Sequence, residues 1–277
     1  MNSWDHVWFI SRYLHTDPTP PTKLFMQGES ETPPRPLSVP PVSRARFGTN
    51  LIRHAVCELR FPTLFEIDGQ RPPPKFAAVL RKEYPNYEQL VQALIGEANA
   101  LPVRAHAFRS KKNRWTATLR PAAVTLETNE YDSFPDFKKR LELVIRAASE
   151  VIDSEIFTRV GLRYINAVPY ERQTIAEWVR QELVAPLADG VFGDVDEHNQ
   201  TIRGSTDAGG YRFAHGVRVR GPGQKPEYML DFDFFQEDVL VQDALAVAQQ
   251  LHDREFNLFM WAMGPRALAH MGPSKLK

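Results

Sequence analysis

Three pairs of segments recur along this chain at nearly the same distance. Leu59-Arg60-Phe61 and Leu162-Arg163-Tyr164 are 103 residues apart, Val124–Thr128 and Tyr228–Phe232 are 104 apart, and Ser133 and Asp238, each placed to start a helix, are 105 apart. Self-similarity at a fixed spacing constrains a fold more than composition does, because each copy has to bury its apolar face in the same way. From Gly48 onward the chain is therefore expected to hold two copies of one strand-helix-strand-strand-helix unit, a first half over residues 48–155 and a second half, ending in a C-terminal helix, over residues 156–277. The fold class this predicts is α+β, with mainly antiparallel sheets packed by helices.

Period-2 alternation marks the strands. Cys57, Leu59 and Phe61 alternate with Glu58 and Arg60, and Trp115, Ala117 and Leu119 alternate with Arg114, Thr116, Thr118 and Arg120. Val124 and Leu126 form the return strand after a turn at Pro121-Ala122. In the second half Val160, Leu162, Tyr164 and Asn166 share a face, Thr201–Arg203 suggests a short strand within a loop over 189–210, and Tyr211–Arg220 pairs with Tyr228–Phe235 across a Gly/Pro turn. Helical spacing links Phe137, Leu141, Val144 and Ala148 behind Ser133, and Val241, Leu245, Ala248, His252, Phe256 and Phe259 behind Asp238. Thr174 and Glu177 read as a capping box for a helix through Trp178, Leu183 and Leu187. Phe76, Val79, Leu80, Leu90 and Leu94 read as helical segments broken near Pro85.

Residues 1–47 differ. Eight prolines between Asp17 and Ser43 favour extended backbone over packed structure, so this stretch is expected to be a proline-rich arm. Trp4, Trp8, Phe9 and Tyr13 are spaced for a short helix that docks on the body or on a partner. Lys and Arg together number 34, as do Asp and Glu, so no global field draws nucleic acid or an anionic bilayer to the surface. Cys57 is the single cysteine, which excludes an internal disulfide and suits a reducing compartment. No run reaches the roughly 18 to 20 apolar residues of a membrane span, and Asp5 and Arg12 interrupt any secretory signal. A cytoplasmic location without membrane contact is expected.

The strand Arg159-Val160-Gly161-Leu162-Arg163-Tyr164-Ile165-Asn166 carries the most distinctive polar residues. Arg163 points away from the Leu162 and Tyr164 face, beside Gly161, which leaves room for close approach. It is either half of a structural ion pair with a carboxylate such as Asp231 or a planar donor fork for an anionic ligand. Asp231 and Asp233 lie two apart on one strand, where they pair with facing arginines such as Arg218 and Arg220, hold Mg²⁺ or Mn²⁺, or divide acid and base roles. His252 falls in the apolar half of the last helix, as a core histidine or a general base. Arg163, Asn166, Arg218, Asp231, Asp233 and His252 form the candidate ligand-binding set. No catalytic set, metal-ligand set or cofactor is expected: His198, His215 and His270 show no ligand spacing, and the nucleophile-elbow, phosphate-loop, dinucleotide and zinc-protease motifs are missing. Between Arg104 and Arg120 a basic hairpin surrounds Phe108 and Trp115; it is either a solvated tip or a nucleic-acid grip made by Lys111, Lys112, Arg114 and Trp115.

At Arg159–Asn166 the chain resembles a sporadically distributed bacterial family of uncharacterised proteins, marked by an Arg-x-Gly-Leu-Arg-Tyr-Ile-Asn strand in mid-chain. The strand Val56-Cys57-Glu58-Leu59-Arg60-Phe61-Pro62, the triplet Asp231-Phe232-Asp233 and the pair Leu251-His252 fit the same pattern, which covers about residues 40–262. The resemblance implies no activity. The function expected is non-enzymatic binding of a protein or small-molecule partner, in a cleft at the junction of the halves. The alternative is an RNA- or DNA-binding protein or nuclease of bacterial defence, motivated by the basic hairpin and the Asp231/Asp233 pair.

Overall fold

Alternation in the central strands decides the architecture. In the computed structural model, which describes residues 35–43, 45–92, 103–219, 221 and 223–275, the strands β1 (Ala45–Phe47), β2 (Ile52–Arg60), β3 (Asn86–Gln92), β4 (Val103–Arg109), β5 (Trp115–Arg120) and β6 (Ala123–Thr128) are followed by β7 (Ile156–Pro169), β8 (Gln200–Ser205), β9 (Gly210–Arg218), β10 (Glu227–Leu240) and β11 (Pro273–Lys275). The helices are α1 (Pro74–Leu80), α2 (Phe134–Ser149), α3 (Ile175–Trp178), α4 (Gln181–Ala188), α5 (Ala244–Ala262) and α6 (Pro265–Met271). Nine strands form one antiparallel sheet in the order β3-β4-β5-β6-β2-β7-β10-β9-β8. The fold is α+β, as the patterning predicts.

Cross-strand register places the apolar positions in continuous rows: Leu126 faces Cys57, Cys57 faces Leu162, and Leu162 faces Phe234. The helices lie on this face. Phe137, Leu141, Val144 and Ala148 of α2, Leu183 and Val184 of α4, and Val247, Leu251 and Leu258 of α5 join the strand residues in one core. Each fully buried Phe, such as Phe137, Phe213, Phe232 or Phe234, contributes about 1.5 to 3 kcal/mol of transfer free energy.

Several local expectations are overturned. Leu90 belongs to strand β3, at the sheet edge beside β4, because Pro85 stops helical backbone and the exposed side of β4 takes a partner. Asp238 does not start a helix. It has φ 52°, and the β10–β7 ladder passes it by, with Glu237 facing Arg159 and Val239 facing Phe157. This is a local break in the ladder with the register unchanged on both sides, tolerated because a short polar side chain accepts left-handed backbone; α5 starts after Asp243. Ser133 occupies the N-cap position of α2, yet its side chain makes no capping bond, and Thr174 makes none either. The helix expected through Trp178 and Leu187 is split into α3 and α4 by Val179, which is extended and bridges Met263.

The arm also departs from expectation. β1 pairs with β11, so the body begins ahead of Gly48. Within residues 35–43, the Leu37 amide donates to the Ser205 carbonyl (2.8 Å) and the Val42 amide to Asn257 Oδ1 (3.1 Å), and Leu37 and Val39 pack on the core. The helix expected over Trp4–Tyr13 lies outside the described residues, as do Leu94 and Arg220. No helix among the described residues is long and apolar enough to cross a membrane.

Candidate functional site

Residues that alternate with the core positions of β2, β7, β10 and β9 project to the opposite face, which carries no helix among the described residues. There Arg163 donates through Nε and Nη2 to both oxygens of Asp231 (2.6 and 2.7 Å), and Arg212 reaches Asp231 Oδ2 at 3.1 Å. Arg159 donates to Asp233 (3.2 Å) and to Glu58 (3.3 Å), and Arg60 Nε meets the same Glu58 oxygen at 2.6 Å. Register explains the weave. Arg60 lies directly opposite Arg159, so Glu58 between them screens two like charges. Four guanidinia and three carboxylates thus form a lattice of two adjoining ion-pair groups across four strands, Arg60–Glu58–Arg159–Asp233 and Arg163–Asp231–Arg212.

The two aspartates respond oppositely. Burial pushes the Asp231 carboxyl up, but Arg163 and Arg212 outweigh it and hold it below the usual range. For Asp233, burial is again the largest effect; Arg159 and Arg163 oppose it, Asp231 and Glu58 add to it, and the net direction is upward. Both Asp231 oxygens are engaged, which leaves that carboxylate poorly placed to act as a free base. The Arg159 guanidinium also stacks 4.4 Å over the Phe235 ring.

The candidate set is divided by the sheet. Arg163, Asp231 and Asp233 share the lattice, while Arg218 faces Glu227 at the far end of β9, so Arg212 takes the place expected of Arg218 beside Asp231. Asn166 and His252 lie on the helix side. Asn166 Nδ2 donates to the Leu230 carbonyl at 3.5 Å; His252 stacks on Phe134 at 4.0 Å, with its Nδ1 3.2 Å from the Tyr164 hydroxyl. His252 is a half-buried histidine packed among aromatic rings.

Sequence reasoning missed one group and set a second aside. Glu255, a turn beyond His252, is 1% exposed, and neither carboxylate oxygen has a hydrogen-bond partner. Burial, reinforced by Asp233 and Asp231 against Arg163, raises it well above the usual carboxylate range. Its signal was present, since Glu255 falls in the apolar stripe between Leu251 and Leu258. The second group is His215, whose Nδ1 lies 2.6 Å from the Tyr228 hydroxyl. Burial, with His198 adding, pushes His215 down to about 4.

The basic hairpin does not present a stacking platform. Lys111, Lys112, Arg114 and Trp115 line a surface depression of about 430 Å³ together with Glu83, Glu130, Asp132 and Asp136. Trp115 is 4% exposed beneath the Arg140 guanidinium (4.6 Å), and Arg114 pairs with Glu130 at 2.9 Å. Among the described residues no three His, Cys, Asp or Glu side chains converge as a metal centre would require. No family model matches the chain, and no curated protein matches it.

Proposed function

We propose that this is a non-enzymatic binding protein that recognises an anionic group of a ligand or partner on the helix-free face where β2 and β7 join. The observation that carries this is the unbalanced end of the lattice. Arg60 keeps 45% of its side chain exposed and engages Glu58 only through Nε, leaving its terminal nitrogens open to solvent. A planar fork of that kind suits a carboxylate or phosphate. The same lattice gives the Arg159–Asn166 strand a physical role within the bacterial family it resembles, and the single buried cysteine suits a cytoplasmic setting.

Tandem duplication is part of the proposal, and the strand order supports it: β2 and β7 lie side by side at the centre of the sheet, each continued outward by a strand pair, β6-β5 beside β2 and β10-β9 beside β7. The return strands support a different offset from the one read in the sequence. Val124 faces Leu59 and Phe234 faces Leu162, and Val124 and Phe234 are 110 apart, like the helix caps Ser133 and Asp243. The nucleic-acid alternative has weaker support, because Trp115 is buried.

A thermal-shift panel of carboxylates, nucleotides and acidic peptides at low salt tests the reading. A binder is expected whose effect disappears in Arg60→Ala and survives in Lys111→Ala/Lys112→Ala. A panel without any binder, or a binder sensitive to the hairpin pair and indifferent to Arg60→Ala, overturns it.

A further inference from the structure

We infer that β3 is a self-association edge: two copies of this chain pair their Asn86–Gln92 strands antiparallel about a twofold axis at Gln89, joining two sheets into one. The surface lies apart from the anion-binding face and does not depend on that reading. Among the described residues β3 ends the sheet, with β4 on one side and no strand on the other. At the opposite end the Leu37 amide bonds to the Ser205 carbonyl of β8, so that edge is partly taken by the chain itself.

Strand pairing fixes which backbone groups β3 turns outward. The Ser110 amide donates to the Trp115 carbonyl at 2.9 Å, so Ser110–Trp115 is a hydrogen-bonded pair in the β4–β5 register. Such pairs alternate along an antiparallel ladder. His106 and Phe108 therefore bond to β5, whereas Ala105, Ala107 and Arg109 bond to β3, where they face Leu90, Glu88 and Asn86. The N–H and C=O groups of Tyr87, Gln89 and Val91 are left directed at the outer edge. A row of this kind is a template for another strand. Asn86–Gln92 has none of the usual protections, since it contains no Lys or Pro and its register with β4 is unbroken.

The strand that matches this edge is a second copy of itself. With the axis at Gln89, Gln89 faces Gln89 of the second copy and Tyr87 faces its Val91, so every outward residue exchanges two bonds with the one opposite. Tyr87 and Val91 are also the exposed apolar side chains of β3, at 44% and 60%. They share one face, and this register covers each with the other in an aromatic–β-branched pair on either side of the axis. Centring on Glu88 sets Val91 against Pro85, which has no amide to give, and centring on Leu90 sets Tyr87 past the end of the strand. On the other face Glu88 meets Leu90, and each Glu88 is already paired with Arg109 of its own chain. An edge of seven residues covers less than the roughly 1,200–2,000 Å² of a stable interface, so the dimer is weak and forms as concentration rises.

Disulfide trapping of the full chain reads the register directly. Cα atoms of a hydrogen-bonded antiparallel pair are about 5.5 Å apart, within disulfide reach, and residue 89 is the position that meets itself. Under mild oxidation Gln89→Cys is expected to give a covalent dimer, while Tyr87→Cys, opposite Val91, stays monomeric; the native Cys57 is buried. Sedimentation velocity of the wild type over a concentration series is expected to show a reversible monomer–dimer equilibrium. Val91→Lys places a charge on both sides of the axis at an exposed position and should weaken it about tenfold. A wild type that is monomeric throughout, a dimer unchanged in a folded Val91→Lys, or cross-linking of Gln89→Cys no greater than that of Tyr87→Cys overturns the proposal.

Discussion

Arg159 lies across Gly161: a Cβ at position 161 would stand 2.7 Å from Arg159 Nη1. The two residues share a strand face, so the missing side chain lets the guanidinium fold along β7 and reach Glu58 on one neighbour and Asp233 on the other. The Arg-x-Gly spacing is thus a packing requirement of the lattice.

Gly161→Ala meets the far end of a flexible side chain, which yields, so a loss of about 1 kcal/mol is expected. Gly216→Ala meets a backbone carbonyl at 1.8 Å, which cannot yield without moving the chain at His198. Urea midpoints should therefore fall much further for Gly216→Ala. Equal midpoints would contradict the close approach at both glycines.

Removing Arg163 from its pair with Asp231 leaves the buried carboxylate with Arg212 alone. Arg163→Met should therefore cost less than the loss of about 3–5 kcal/mol for a fully stranded buried charge, and adding Asp231→Leu together with Arg212→Met should restore most of the loss. The pair also shapes the acid limb. Folded Asp231 titrates below its unfolded value, so its contribution is present above about pH 4 and is lost as pH falls through the folded value. Thermal melts between pH 2 and 5 should show a shallower acid decline in Asp231→Asn than in the wild type. An identical decline would remove Asp231 from the acid response.

Face was readable from the sequence and register was not. Alternation placed Arg163, Asp231 and Asp233 opposite Leu162 and Phe232, and the lattice holds all three. A slip of two residues keeps every side chain on its face, so alternation could not choose between Arg212 and Arg218 as the neighbour of Asp231; the β9–β10 connection makes that choice. Asp238 misled because an acidic residue ahead of an apolar run signals a helix start, whereas Val239 and Leu240 still pair with Phe157 and Ile156. The β1–β11 pair joins residues from opposite ends of the chain, a contact without local periodicity.

Cys57 is fully buried in β2, and burial, with Glu58 and Glu255 adding against Arg159, raises its thiol above the ordinary range. The thiolate is the reactive form. Disulfide-exchange reagents should label it only as fast as the protein opens, with the rate rising steeply near the urea midpoint. Stoichiometric labelling within seconds in native buffer would mean that β2 is not packed as described.

Glu255 sets the alkaline side. Burial first, then Asp233 and Asp231, raise its carboxyl against the pull of Arg163, so the folded chain holds a proton that the unfolded chain releases near its ordinary value. Stability from this group is complete below about pH 4.5 and is lost as pH rises toward the folded value. Glu255→Gln has nearly the same shape and no proton to lose. It should match the wild type near pH 4 and exceed it progressively from pH 5 to 8, with a smaller slope remaining because Asp233 is shifted in the same direction. Melting temperatures that differ by a constant amount across that range would show that Glu255 does not titrate with folding.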